Sequence, residues 1–120
     1  MKTLYKLDGT PVINDLLQLS DTESGQTKLA VGNFQYWKKS PDGTLEISGL
    51  FTTPSGVNMC KLPFTIPFTQ VFSVVTTCYK SNFENVIYNV RNITNNDCEI
   101  HYSRSDYGNG FAYVAIGRWK

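Results

Sequence analysis

The stretch Phe111-Ala-Tyr-Val-Ala-Ile-Gly-Arg-Trp119 constrains the fold more than any other part of the chain. Read with a period of two, it puts Phe111, Tyr113 and Trp119 on one face and Val114 and Ile116 on the other. A strand that is apolar on both faces needs cover on both. It is therefore expected inside the molecule, despite lying at the end of the sequence. The stretch 71–79 behaves alike, with Phe72 and Val74 opposite Val71 and Val75.

From residue 34 onward aromatic and β-branched residues dominate, and turn clusters recur about every ten positions. The spacing predicts strands near 34–39, 44–53, 58–66, 71–79, 85–92, 98–104 and 111–119. The expected fold class is all-β, an antiparallel β-sandwich of about seven strands. Ser40-Pro-Asp-Gly43 sets a fixed φ at Pro41 and a left-handed position at Gly43, so the first two of these strands form a hairpin. Pro54-Ser-Gly56 is a second turn. Pro67 has no N–H to donate and ends a ladder. In 44–53, Leu45, Ile47 and Phe51 share a buried face while Thr44, Glu46, Ser48 and Thr52 share a wet one. Cys98, Ile100 and Tyr102 likewise oppose Glu99, His101 and Ser103.

The chain divides into a connector, 1–33, and a sandwich domain, 34–120. Within the connector, Thr10 can cap a short helix, with Pro11 in its first turn and Ile13, Leu16 and Leu17 on one face. A two-sheet sandwich has one core, so two doubly apolar strands require further cover. A subunit interface supplies it, with Val71, Val75, Phe111, Tyr113, Val114, Ile116 and Trp119 as candidate contacts; the alternative is that the connector folds over them.

Three segments together carry a family resemblance: Trp37-Lys-Lys-Ser-Pro-Asp-Gly-Thr-Leu-Glu-Ile-Ser-Gly49, Leu62-Pro-Phe-Thr-Ile-Pro-Phe68 and the Ala115-Ile-Gly117 ending. An aromatic-led first strand, a Pro-Asp-Gly turn, a Pro-Phe run and an Ala-Ile-Gly ending recur in this order in the C-terminal domain of bacteriophage tail fibre proteins, which residues 34–119 resemble. The resemblance implies a homotrimeric fibre-tip knob in a virion, made in the host bacterial cytoplasm. Its implied task is attachment through a surface glycan, lipopolysaccharide or capsule, or a surface protein. A structural trimerisation cap and a polysaccharide-cleaving tip are the alternatives. Some other tail fibre tips hold iron through His-X-His pairs; here position 103 is Ser.

Composition narrows the chemistry. Eleven basic and ten acidic residues give a net charge of +1 without runs, which is no footprint for nucleic acid. No apolar stretch approaches the roughly 18 residues of a membrane span, and no basic head with an apolar run opens the chain. Cys60, Cys78 and Cys98 follow neither a metal nor a disulfide spacing, and read as interior thiols of a chain matured in a reducing compartment. His101, the single histidine, has neither a nucleophile motif nor converging metal ligands. Asp97 with Glu99, or Glu46 with a carboxylate across the hairpin, is a conceivable glycosidase pair, but surface carboxylates flanking a strand are the commoner case. Gly108-Asn-Gly110 precedes a strand and is turn chemistry, and Asn92-Ile93-Thr94 is read as a loop. The expectation is a non-enzyme without cofactor or metal.

What remains is a set of loops bearing amide, aromatic and charged groups: Lys80, Asn82 and Phe83; Asn95, Asn96 and Asp97; Arg104, Asp106, Tyr107 and Asn109. Amides and carboxylates make paired hydrogen bonds to sugar hydroxyls, and Phe or Tyr stacks on a pyranose. These are the candidate receptor-binding residues; the alternative is that they are solvated turns. If successive strands alternate in direction, 40–43, 66–70 and 93–97 share one end with the C-terminus, while 54–57, 80–84 and 105–110 share the other.

Overall fold

The computed structural model describes residues 22–29, 33–80, 86–104 and 109–120. The expected helix at Thr10 to Leu17 lies outside the described residues. Eight strands follow one another: β1 (Glu23–Lys28), β2 (Phe34–Lys39), β3 (Thr44–Thr52), β4 (Met59–Pro63), β5 (Gln70–Lys80), β6 (Tyr88–Arg91), β7 (Asp97–Tyr102) and β8 (Gly110–Arg118). They form two antiparallel sheets, one of five strands in the order β1-β2-β3-β8-β5 and one of three in the order β4-β7-β6. The seven expected strands are all present, and the all-β sandwich class holds.

Turn chemistry sets the first hairpin. The Gly43 amide donates to the Ser40 carbonyl at 3.0 Å, and Gly43 sits at φ 98°, where a side chain is strained. The hairpin feeds β3, which pairs with β8 along nine residues, from Thr44 opposite Arg118 to Thr52 opposite Gly110. On its other side β8 pairs with β5. The terminal strand is thus interior to the sheet, as its apolar pattern requires.

β1 is the strand that the sequence pattern did not signal. Its residues, Glu-Ser-Gly-Gln-Thr-Lys, lack apolar alternation because an edge strand can be held by its ladder alone. It pairs with β2 from Glu23 opposite Lys39 to Lys28 opposite Phe34. Gly25 admits the Trp37 indole, since an added Cβ there would meet the ring at 2.7 Å. This part of the expected connector therefore extends the sheet ahead of residue 34. It does so edge to edge with β2, which leaves the outer side of β5 and β8 uncovered by the described residues.

The core lies between the sheets. Leu45, Ile47, Phe111 and Ala115 from the larger sheet meet Leu62, Cys98 and Ile100 from the smaller, all with no exposed surface. Phe111 is its centre, with ring centroids 5.4 Å from Phe51, 5.2 Å from Tyr88 and 5.9 Å from Tyr113. Burying a Phe-sized side chain contributes about 2 to 3 kcal/mol. One polar side chain bolts the sheets together. Fully buried Gln35 donates from Nε2 to the Pro63 carbonyl (2.7 Å) and to the Tyr113 hydroxyl (3.1 Å), and its Oε1 accepts from the Thr65 amide (2.8 Å) and hydroxyl (2.8 Å). Its amide is thus fully partnered, as a buried amide must be.

Candidate receptor-binding surfaces

Three loops meet at the end of the sandwich where β8 finishes. The Phe64 amide donates to the Asn96 carbonyl (2.8 Å) and the Phe68 amide to the Asn95 carbonyl (2.9 Å). The Thr69 amide donates to Arg118, and the Trp119 amide to Gly43. Arg118 Nη2 donates to the Asp42 carbonyl at 2.9 Å. A continuous hydrogen-bonded chain thus joins 92–97, 64–69 and the Pro41-Gly43 turn. Strands that alternate in direction bring these segments to one end, as expected from the sequence.

Within the loop, Asn92 takes φ 51°, a left-handed value that Asn tolerates better than most residues. The Thr94 hydroxyl accepts the Asn96 and Asp97 amides and donates to the Asp97 carboxylate at 2.9 Å. Asn95 and Asn96 are left exposed at the tip, while Asp97 is half-buried and opens β7. The Asp42 carboxylate accepts the Thr44 amide at 2.9 Å, and that bond holds it below the usual carboxylate range, helped by Arg118 and Lys120.

Of the remaining candidates, Lys80, Arg104 and Asn109 belong to the opposite end. Lys80 closes β5 opposite Gly110. Asn82, Phe83, Asp106 and Tyr107 lie outside the described residues. Arg104 is half-buried. Asn109 is fully buried, and its carbonyl accepts both the Thr53 amide and the Thr53 hydroxyl. As folded it therefore has no surface to offer a receptor. The candidate residues are not one site; the sandwich length separates Asn95–Asp97 from Lys80 and Arg104.

The candidate interface residues divide between two faces. Phe111 and Tyr113 are core, 0% and 2% exposed, and so are corrected from interface to interior. Val71 also turns inward, because the register of β5 against β8 shifts between Val71 and Ser73. The extra residue, Phe72, reverses the faces that simple alternation assigns. Val71 then packs against the core with Val74, and Phe72 is left 58% exposed. Val75, Val114 and Ile116 remain exposed on the outer face. There Val75 stands opposite Val114, which stands opposite Ser48, which stands opposite Tyr36. Phe34, Tyr36 and Leu50 continue this apolar surface and line a cavity of about 240 Å³ with Asn33 and Gly49.

Trp119 is half-buried beside the first hairpin, its indole Nε1 donating to the Ser40 carbonyl at 2.9 Å. The Lys39 ammonium lies 5.1 Å from the Trp119 ring centroid and 6.0 Å from that of Trp37; the Lys120 ammonium lies 5.0 Å from Trp119. This arrangement is not legible in the sequence, where its only trace is Trp37-Lys-Lys39 and Trp119-Lys120, two segments that only strand pairing brings together.

The smaller sheet turns polar side chains outward. His101 Nε2 and Glu99 Oε1 are 2.9 Å apart, and the bonds to His101 and Asn92 hold Glu99 below the usual carboxylate range. Among the described residues no three His, Cys, Asp or Glu side chains converge as a metal site would need. Cys98 is buried, Cys60 half-buried and Cys78 exposed, all as free thiols. Burial pushes Cys60 up to about 11 and Cys98 up to about 12.

The architecture is shared with pyocin tail fibres. No protein-family model matches the sequence, and no curated protein matches it. Among solved structures, a C-terminal fragment of the P. aeruginosa R1 pyocin fibre aligns over 95% of this chain and 32% of its own, with TM-score 0.63 and 19% identity. A C-terminal fragment of the P. aeruginosa R2 pyocin fibre aligns over 98% of this chain and 33% of its own, with TM-score 0.63 and 16% identity. An N-truncated R1-type pyocin tail fibre aligns over 95% of this chain and 98% of its own, with TM-score 0.59 and 17% identity. This chain therefore spans about a third of the two longer fragments and nearly all of the short one. The tail-fibre resemblance read from the Pro-Asp-Gly and Pro-Phe segments is matched by the three-dimensional fold.

Proposed function

We propose that this chain is the tip domain of a phage or phage-like tail fibre, which attaches the particle to a bacterial surface by binding a cell-surface glycan. The observation that carries the proposal is the extent of the pyocin-fibre likeness, nearly the whole chain against a truncated tail fibre of almost the same extent. Function does not follow from fold alone. Two further features support it. Exposed Asn95 and Asn96 crown one end of a rigid sandwich. The apolar outer face of the larger sheet suits a threefold assembly of identical chains, in which three weak sites act together.

The domain is proposed to bind without cleaving. A glycosidase needs one carboxyl group kept protonated, hence raised in pKa. Of Asp97 and Glu99, the bond to His101 holds Glu99 below the usual carboxylate range, the opposite of what an acid catalyst needs.

Two measurements on the purified chain test the proposal. Light scattering on a sizing column is expected to show a trimer at micromolar and nanomolar concentration. Labelled protein is expected to adhere to some bacteria in a panel, and not to mutants of those strains lacking surface polysaccharide. A stable monomer that adheres to none of them overturns the proposal.

A further inference from the structure

The two lysines stacked on Trp119 form the one cationic cluster of the described residues with an aromatic floor. Trp37 and Lys39 are two residues apart on β2, so they share a face. Trp119 follows the end of β8 and is pinned by its bond to the Ser40 carbonyl. Its indole is thereby a fixed platform, half-buried rather than enclosed. Ammonium groups at 5.0 and 5.1 Å from one ring centroid lie within the range of cation–π attraction. They also repel each other. Glu23 stands opposite Lys39 in the β1–β2 register and Asp42 lies near Lys120, yet among the described residues neither ammonium forms an ion pair. Asp42 already accepts the Thr44 amide.

From this arrangement the geometry points to a binding site for an acidic pyranoside, a sugar ring bearing a phosphate or carboxylate. The ring's C–H face would lie on exposed indole surface, and the anion would bridge the Lys39 and Lys120 ammonium groups. The anion offsets the repulsion between the lysines, and each contact becomes a charge-assisted hydrogen bond. The site rests on the attachment reading, which it deepens: it lies at the same end of the sandwich as Asn95 and Asn96, and it selects negatively charged glycans over neutral ones.

The chain contains only two tryptophans, Trp37 and Trp119, and both are in this cluster. Tryptophan fluorescence, excited at a wavelength that the seven tyrosines do not absorb, therefore reports on this cluster. Titration of the full chain with glucose 6-phosphate and with glucuronate is expected to give a saturable change; glucose is expected to give none. In K39Q/K120Q, which keeps both indoles, affinity for both acids is expected to fall about tenfold or more, equivalent to the loss of about 1.4 kcal/mol. No saturable change with either acid sugar, an unchanged affinity in K39Q/K120Q, or equal binding of inorganic phosphate alone each overturns the site; the last would mean an anion trap without sugar recognition. Adhesion to bacteria is measured on the same two proteins. Equal adhesion by both sinks this site and leaves attachment standing, whereas saturable acid-sugar binding by a chain that adheres to no bacterium supports the site and sinks attachment.

Discussion

The outer faces of the two sheets are built on the same alternation and yet suit opposite surroundings. On the larger sheet, Tyr36, Val75, Val114 and Ile116 point away from the core and are between 37% and 58% exposed. On the smaller sheet the outward row runs Lys61, Glu99, Arg91 across three strands, with His101 beside it. A carboxylate between two cations is at home in water, whereas Val75 and Val114 side by side, with exposed Tyr36 in the same row, are not. Pattern alone makes both sheets; the chemistry of the second face suits one to solvent and leaves the other with apolar surface that the proposed assembly would cover.

The strongest way to break this comparison is to charge the apolar face. In the proposed trimer, V75E/V114E buries unpaired carboxylates and is expected to raise the dissociation constant about a thousandfold, about 4 kcal/mol. Light scattering should then show a monomer with an unchanged far-ultraviolet spectrum; a persistent trimer would move the interface elsewhere. A change on the other side of β8 should act on folding instead. F111A empties the centre of the aromatic cluster and is expected to cost about 3–5 kcal/mol in denaturant unfolding.

Q35L leaves the Pro63 carbonyl and the Thr65 amide without their partner and is expected to cost about 1–3 kcal/mol. Alkaline titration probes the core by a different route. Cys60, Cys98, Tyr88 and Tyr102 are raised by burial to about 11 or 12, from ordinary values of 9.0 and 10.0. Between about pH 9 and pH 12 the unfolded chain releases protons that the folded chain keeps, so stability falls as pH rises. A flat stability profile across that window would contradict the burial of these groups. The smallest effect is expected on the polar face, where H101A should change stability by no more than about 0.5 kcal/mol.

Much of the fold was legible because its causes are local. Period-two alternation gave β3 and β7 their buried faces, and Pro41 with Gly43 gave the first hairpin. The doubly apolar β8 was expected inside, and it is the strand flanked by β3 and β5. The misassignments share one origin in non-local pairing. Simple alternation places Val71 on the outer face, because a bulge, which depends on how β5 meets β8, leaves no mark in a single strand. Phe111 and Tyr113 are expected at an interface from sequence because an apolar residue looks the same whether it faces a core or a partner. β1 went unseen because its ladder bonds are made by backbone, which every sequence possesses. Of the candidate site, the grouping of 40–43 with 93–97 was legible from strand parity, while the burial of Asn109 was not.

The sequence by itself determined that residues 34–120 are all-β, where the strands and turns after β1 fall, and that more apolar surface exists than one core can absorb. These follow from backbone geometry and the hydrophobic effect acting within a few residues. Only the tertiary structure decided which apolar face is inside, that Gln35 joins the two sheets, and that Trp37, Lys39, Trp119 and Lys120 form one cluster. Those outcomes depend on register between strands as distant as Gln35 and Tyr113, 78 positions apart. A shift of one residue in such a ladder exchanges the two faces of a strand while leaving its local pattern untouched.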